Sequence, residues 1–292
     1  ALNREVAEAV GFDFEAGRID TTTHPFCTGL APGDTRLTTR YDSGDFTTSL
    51  YGVMHEAGHG MYEQGLPDEH FGTPAGSSAS LGIHESQSRL WENHVGRSRS
   101  FWKWALPRFQ EQFPHQAGVT LEEIWPTLQV VRPSLVRVEA DQVTYNLHVA
   151  IRFEIERAIF SGELEVDDLP ERWNNLYEEL LGIRPPDDAS GVLQDIHWAL
   201  GAFGYFPTYT LGTLAAAQLF ETVRKELGEL DEMLAAGEFS PLLDWLRDRI
   251  HRHGSRYRAA ELIERATGSS LSATAFLTHV RELVARVYSV RP

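Results

Sequence analysis

The chain has one cysteine, Cys27, in 292 residues. No internal disulfide is possible, a reducing compartment fits best, and any metal site must draw on His and Glu. No apolar run reaches the roughly eighteen residues of a membrane span. The opening stretch, ALNREVAEAVGFDFEAG, lacks the basic and apolar regions of a secretion signal. A cytoplasmic protein is the expectation. The chain starts at Ala and enters helical-looking sequence at once, which suggests a processed product or one piece of something longer. Basic residues are outnumbered, 26 against 42 acidic ones, for a formal charge of −16. That balance argues against nucleic acid or an anionic membrane as a partner. There is no flexible linker and no internal repeat, and 42% hydrophobic content suffices for a large core.

What is present is His55-Glu56-Ala57-Gly58-His59, an H-E-x-x-H pattern inside a helical-looking stretch, 46–65. On a helix, residues i and i+4 share a face, so both imidazoles can reach one ion. Glu56 then stands beside that ion as the base that takes a proton from an attacking water. The plainer reading is a buried amphipathic helix with two satisfied histidines. Leu50, Val53, Met54, Ala57 and Met61 recur at helical spacing, Asp45 suits an N-cap, and Gly65 suits a C-terminal stop.

Apolar residues at threes and fours also predict helices over 101–113, 121–131, 142–160, 169–181, 211–236, 241–253 and 259–290. The expected class is mainly α, a multi-helix zinc-peptidase fold. Residues 36–41 and 134–139 alternate instead, which predicts a small β-sheet beside the site. Residues 72–82 and 182–191 are expected to be loops.

A catalytic zinc needs a third protein ligand, and Glu63, Glu69, His70, His84, Glu85 and Glu92 follow the motif. Glu63 lies about 12 Å from His55 along the same helix axis, too far to converge on one ion. Glu85 is best placed, because His84-Glu85-Ser86-Gln87 opens a second apparent helix, to residue 95, that could pack on the first. Its alternative role is a carboxylate at a helix N-terminus.

His24-Pro25-Phe26, Asp34-Thr35-Arg36-Leu37-Thr38, HEAGH, His84-Glu85-Ser86-Gln87 and residues 191–198, GVLQDIHW, occur in that order. Together they resemble the five motifs of the carboxypeptidase Taq family over essentially the whole chain, although a further N-terminal helical region usual in the family has no counterpart here. The resemblance implies a metal-dependent carboxypeptidase with residues 1–292 as a single catalytic domain. It implies His55, His59 and Glu85 as ligands of Zn2+, with Co2+ able to substitute, peptides with a free C-terminus as substrates, and a homodimer.

A carboxypeptidase must hold a terminal carboxylate, and a bidentate arginine matches that anion. Arg137, in a stretch similar to the family's segment for the substrate end, and Arg36 are the candidates. Each has an alternative as an ion pair, Arg36 with Asp34 and Arg137 with Glu139 or Asp141. His197, Tyr205 and Tyr209 offer donors for an oxyanion, in a tract whose glycines permit close backbone approach and whose Pro207 should interrupt a helix. The plainer reading of the tyrosines is an aromatic core. Asp34, Asp195 and Gln87 have the chemistry to orient metal-bound imidazoles, and His24 and His84 could orient ligands or substrate. His94, His115, His148, His251, His253 and His279 read as structural. The rivals are a zinc endopeptidase and a catalytically incomplete fragment.

Overall fold

The computed structural model describes residues 1–289. In chain order its elements are α1 (Leu2–Val10), β1 (Gly17–Thr21), β2 (Cys27–Ala31), β3 (Asp34–Thr39), α2 (Phe46–Glu63), α3 (Leu81–Arg89), α4 (Arg99–Gln112), α5 (Leu121–Thr127), α6 (Tyr145–Ser161), α7 (Leu169–Leu181), α8 (Pro207–Leu227), α9 (Leu230–Ala236), α10 (Ser240–Arg249), α11 (Ala259–Thr267) and α12 (Thr274–Tyr288). The expected mainly helical class is present. Among the described residues no helix is long and apolar enough to cross a membrane. Two compact units divide the chain, one formed by Ala1–Leu128 with Gly212–Pro292 and the other by Gln129–Leu211.

In the first unit α2 is the central helix. Asp45 caps it from an extended backbone, accepting from the Thr47 amide and the Thr48 hydroxyl. Leu50, Val53, Met54, Ala57 and Met61 form its buried stripe, each at most 1% exposed, and share one core with Phe12 and Leu37. Burying one such large side chain contributes about 1.5–3 kcal/mol, so the stripe fixes which face of α2 turns inward. Leu37 comes from β3, the middle strand of a sheet ordered β1-β3-β2, with β1 parallel and β2 antiparallel to it. The small sheet beside the motif helix is therefore real, built from 17–39 rather than from the alternating segments alone.

Gly58 sets how close α3 comes to α2. A Cβ there would lie 2.7 Å from the backbone of Gln87 and Ser88, closer than atoms can stand. Because the obstacle is backbone, Gly58→Ala must push the helices apart. It is expected to cost about 1–3 kcal/mol of stability and to weaken metal binding, checked by thermal melts and zinc titration of the same samples.

Several boundaries differ from those predicted. Residues 134–139 form no strand; Gln194 accepts from the Arg137 amide and donates to the Leu135 carbonyl, so a side chain satisfies groups that a neighbouring strand would otherwise take. The helix predicted over 211–236 is two, α8 and α9, parted at Gly228, whose φ is 74°. That over 259–290 is likewise α11 and α12, parted after Gly268, and residue 290 lies outside the described residues. α2 ends at Glu63 with Gln64 as its cap, so Gly65 is not the stop. Pro207 begins α8 instead of interrupting a helix, since the first turn needs no amide from it.

In the second unit, α6 and α7 enclose Ile151, Ile155, Trp173, Leu176, Tyr177 and Val192. His148 is fully buried there, its Nδ1 3.0 Å from the Tyr177 hydroxyl, while its Nε2 has no hydrogen-bond partner among the described residues. Burial, with Arg152 and Arg137 nearby, pushes its pKa down to about 3. A histidine depressed in the fold contributes stability that is complete above its unfolded pKa of about 6.5 and is lost as pH falls toward the folded value. The parent is therefore expected to lose on the order of a few kcal/mol between pH 6.5 and 4 through this residue. His148→Gln should flatten that fall by about one proton's worth of slope in denaturant unfolding followed against pH. An unchanged slope would remove His148 from the acid response.

Candidate active site

α2 and α3 bring three ligand atoms together. Glu85 Oε2 lies 3.7 Å from His55 Nε2 and 3.4 Å from His59 Nε2. Donors about 2.0–2.1 Å from a tetrahedral zinc stand about 3.4 Å apart, so the set fits one such ion. His55, His59 and Glu85 form the one group of this kind among the described residues. Glu85 is not a cap: α3 starts at Leu81, and Ser80 caps it by accepting from the Ile83 amide.

Both imidazoles are held with Nε2 toward Glu85. His55 Nδ1 lies 2.8 Å from Glu92 Oε2. His84 lies between His59 and Glu63, its Nδ1 2.5 Å from His59 Nδ1 and its Nε2 2.6 Å from Glu63 Oε1. A carboxylate only accepts, so the His55 proton sits on Nδ1, the His84 proton on Nε2, and the His59 proton again on Nδ1. The Nε2 atoms of His55 and His59 are thereby the ones turned to a metal, which at His55 displaces a proton on binding. Arg89 donates from Nε to Glu85 Oε1 and from Nη1 to Glu92 Oε2.

Three carboxylates, Glu56, Glu85 and Glu92, thus crowd two imidazoles and two guanidiniums, Arg89 and, 3.7 Å from Glu92 Oε1, Arg97. Burial, reinforced by Glu85 and Glu92 against the pull of His55, pushes Glu56 up to about 7. Burial alone would lower His55, but Glu85 and Glu92 outweigh it and push it up to about 9. Burial dominates at His59, which falls to about 4. Glu85 is buried too, yet Arg89 and His55 hold it well below the usual carboxylate range. The ligand atoms of His55, His59 and Glu85, facing one point in this cluster, are complementary to a divalent cation.

The second unit carries another cluster. Arg137 is 5% exposed and donates from Nε and Nη2 to Asp195 Oδ1 and from Nη1 to the Tyr145 hydroxyl. Arg152, fully buried, donates to Asp195 Oδ2 from the other side. Burial opposes charge on Arg137, but Tyr145 and Asp195 raise its pKa further. Its guanidinium carbon stands 4.6 Å from the centre of the Tyr209 ring. His197 Nε2 is 2.8 Å from the Tyr209 hydroxyl, and the Tyr205 ring centre is 5.1 Å from that of His197.

A model of the carboxypeptidase Taq (M32) metallopeptidase family matches residues 1–284. The chain belongs to this family. It is 53% identical over 284 residues to thermostable carboxypeptidase 1 of Thermus thermophilus, covering 97% of this chain and 56% of that one. Carboxypeptidase 1 of Bacillus subtilis is 45% identical, with 96% of this chain and 56% of that one covered. A crystal structure of the M32 carboxypeptidase from Deinococcus radiodurans superposes with a TM-score of 0.97 at 45% identity, over 99% of this chain and 59% of that one. The chain thus spans little more than half the length of the curated relatives it matches.

Among the candidate residues of the sequence analysis, His55, His59, Glu56 and Glu85 stand together in the first unit; Arg137, His197, Tyr205 and Tyr209 stand together in the second. Arg36 forms its alternative ion pair, an exposed bidentate contact with Asp34 at 2.9 Å. Asp34 therefore orients no imidazole, Asp195 serves the two arginines, and Gln87 meets His251 at 2.8 Å. The orienting work falls to Glu92, His84 and Glu63. The sequence offers Glu92 only as a possible ligand; its spacing, seven residues beyond Glu85 with Arg89 between at i+4, is the signal that one helical face carries all three. His24 is exposed.

Proposed function

We propose that this chain carries the catalytic machinery of a zinc-dependent carboxypeptidase acting on peptides with a free C-terminus. The observation that carries the reading is the convergence of His55 Nε2, His59 Nε2 and Glu85 Oε2 beside the buried Glu56. A zinc ion held by these three would acidify a water and polarise the scissile carbonyl. Glu56, next to His55 on α2, takes the water's proton and passes it to the departing amine. Arg137 is kept charged, and the N–H donors not taken by Asp195 and Tyr145 are those offered to a terminal carboxylate. Arg36 would join it only by exchanging Asp34. His197 and Tyr209, already hydrogen-bonded to each other, with Tyr205 beside them, donate to the oxyanion. In this reading residues 1–292 are a single catalytic domain, cobalt can replace zinc, and the protein is a cytoplasmic homodimer.

The test is release of the terminal residue from an N-blocked dipeptide by the zinc-loaded chain, beside the same dipeptide as its C-terminal amide. Cleavage of the acid alone is expected. Equal cleavage of the amide would favour an endopeptidase. A second reading rests on the 56% coverage of the relatives: the chain binds metal but needs a further segment for turnover. Metal uptake without cleavage of either substrate would establish it.

A further inference from the structure

Glu156 lies on α6, 4% exposed, and none of the chemistry above uses it. Each of its carboxylate oxygens accepts one hydrogen bond. Oε1 accepts from the Trp198 indole Nε1 at 2.7 Å, and Oε2 accepts from the Gly204 backbone amide at 2.9 Å. Trp198 directly follows His197, and Gly204 directly precedes Tyr205. One side chain thus ties down the neighbours of two groups assigned to the oxyanion.

Besides these two hydrogen bonds, the tied segment is held by its own backbone turns, with the Leu200 and Ala202 amides donating to the His197 carbonyl, and by the packing of Trp198 against Phe203 and Phe206. It contains a single 3-10 turn, Trp198–Leu200, and two left-handed glycines, Gly201 at φ 73° and Gly204 at φ 74°. Leu200 at its tip is 74% exposed. A buried carboxylate is costly to keep, yet here it faces an indole and a backbone amide, not a countercharge. Only a carboxylate offers both donors an oxygen; a glutamine would present its NH2 to one of them. The arrangement is a strap, anchored in a helix and closed across a loop.

We propose that Glu156 is a positioning residue that fixes His197, and through it the Tyr209 hydroxyl, for oxyanion stabilisation. This rests on the reading of His197 and Tyr209 as oxyanion donors. Those groups act in the transition state more than in substrate binding, so loosening the strap lowers kcat and spares KM.

The experiment measures kcat, KM and zinc content for the parent, Glu156→Gln, Trp198→Phe and the double variant on an N-blocked dipeptide. A misplaced donor costs roughly tenfold to a hundredfold in rate. That fall in kcat is expected in each single variant, with KM and zinc content unchanged and the double variant no worse than Glu156→Gln. Unchanged kcat, or a rise in KM with loss of zinc alongside the fall in kcat, would overturn the proposal. Where Glu156→Gln does not fold, Trp198→Phe carries the test. If the parent chain binds zinc but shows no turnover, the chain needs a further segment, and the strap is judged from the 15N imidazole signals of His197. A sharp set in the parent that broadens or doubles in the variants supports it; an identical set overturns it.

Discussion

Glu56→Gln is expected to leave zinc binding intact and to lower kcat by between about a hundredfold and ten-thousandfold, the range supplied by a positioned general base. The amide keeps the shape of a buried side chain and adds no volume, so α2 and its two histidines have no reason to move. A carboxamide cannot take the proton. In the metal-free chain the same variant carries a second signature. Burial raises Glu56 to about 7 in the fold, above its ordinary value of 4.5, so its contribution to stability is complete at low pH and is lost as pH rises through 7. Metal-free Glu56→Gln should therefore melt above the metal-free parent at pH 8, with the gap closing toward pH 5. Retained turnover would mean that another group takes the proton.

Glu85→Gln should instead abolish the metal site, with zinc affinity falling on the order of a thousandfold or more, since a charged ligand is lost and Arg89 keeps its charge beside the two imidazoles. Glu92→Gln is the informative comparison. It disturbs the partner of His55 and not the ligand set, so a loss of tenfold to a hundredfold is expected, as for other groups that orient a metal-bound imidazole. The order of the two effects separates the assignments. Were Glu92→Gln the more damaging, the third ligand would be Glu92 and Glu85 would be its support. Zinc competition with a chromophoric chelator measures both.

The motif helix was legible because its apolar residues keep one strict period from Leu50 to Met61, and local order alone places His55 and His59 on one face. The class of the fold followed from the same periodicity elsewhere. What was not legible was set by partners distant in sequence. Residues 134–139 alternate like a strand, but Gln194 supplies their hydrogen bonds from 57 and 59 residues away. Asp195 has the chemistry of an imidazole partner, and only the fold shows that Arg137 and Arg152 claim it. Glu63 is too far along α2 to be a ligand; His84, reaching in from α3, turns it into the end of a hydrogen-bond chain. The ligands could be inferred from spacing within helices, while their supports depended on contacts between them.

The central claim is that one metal ion sits among His55, His59 and Glu85. Anomalous scattering at the zinc edge from crystals grown with zinc addresses it directly. A single strong peak about 2 Å from His55 Nε2, His59 Nε2 and Glu85 Oε2 is the expected result. A peak held by other residues, or none at full zinc loading, would contradict it.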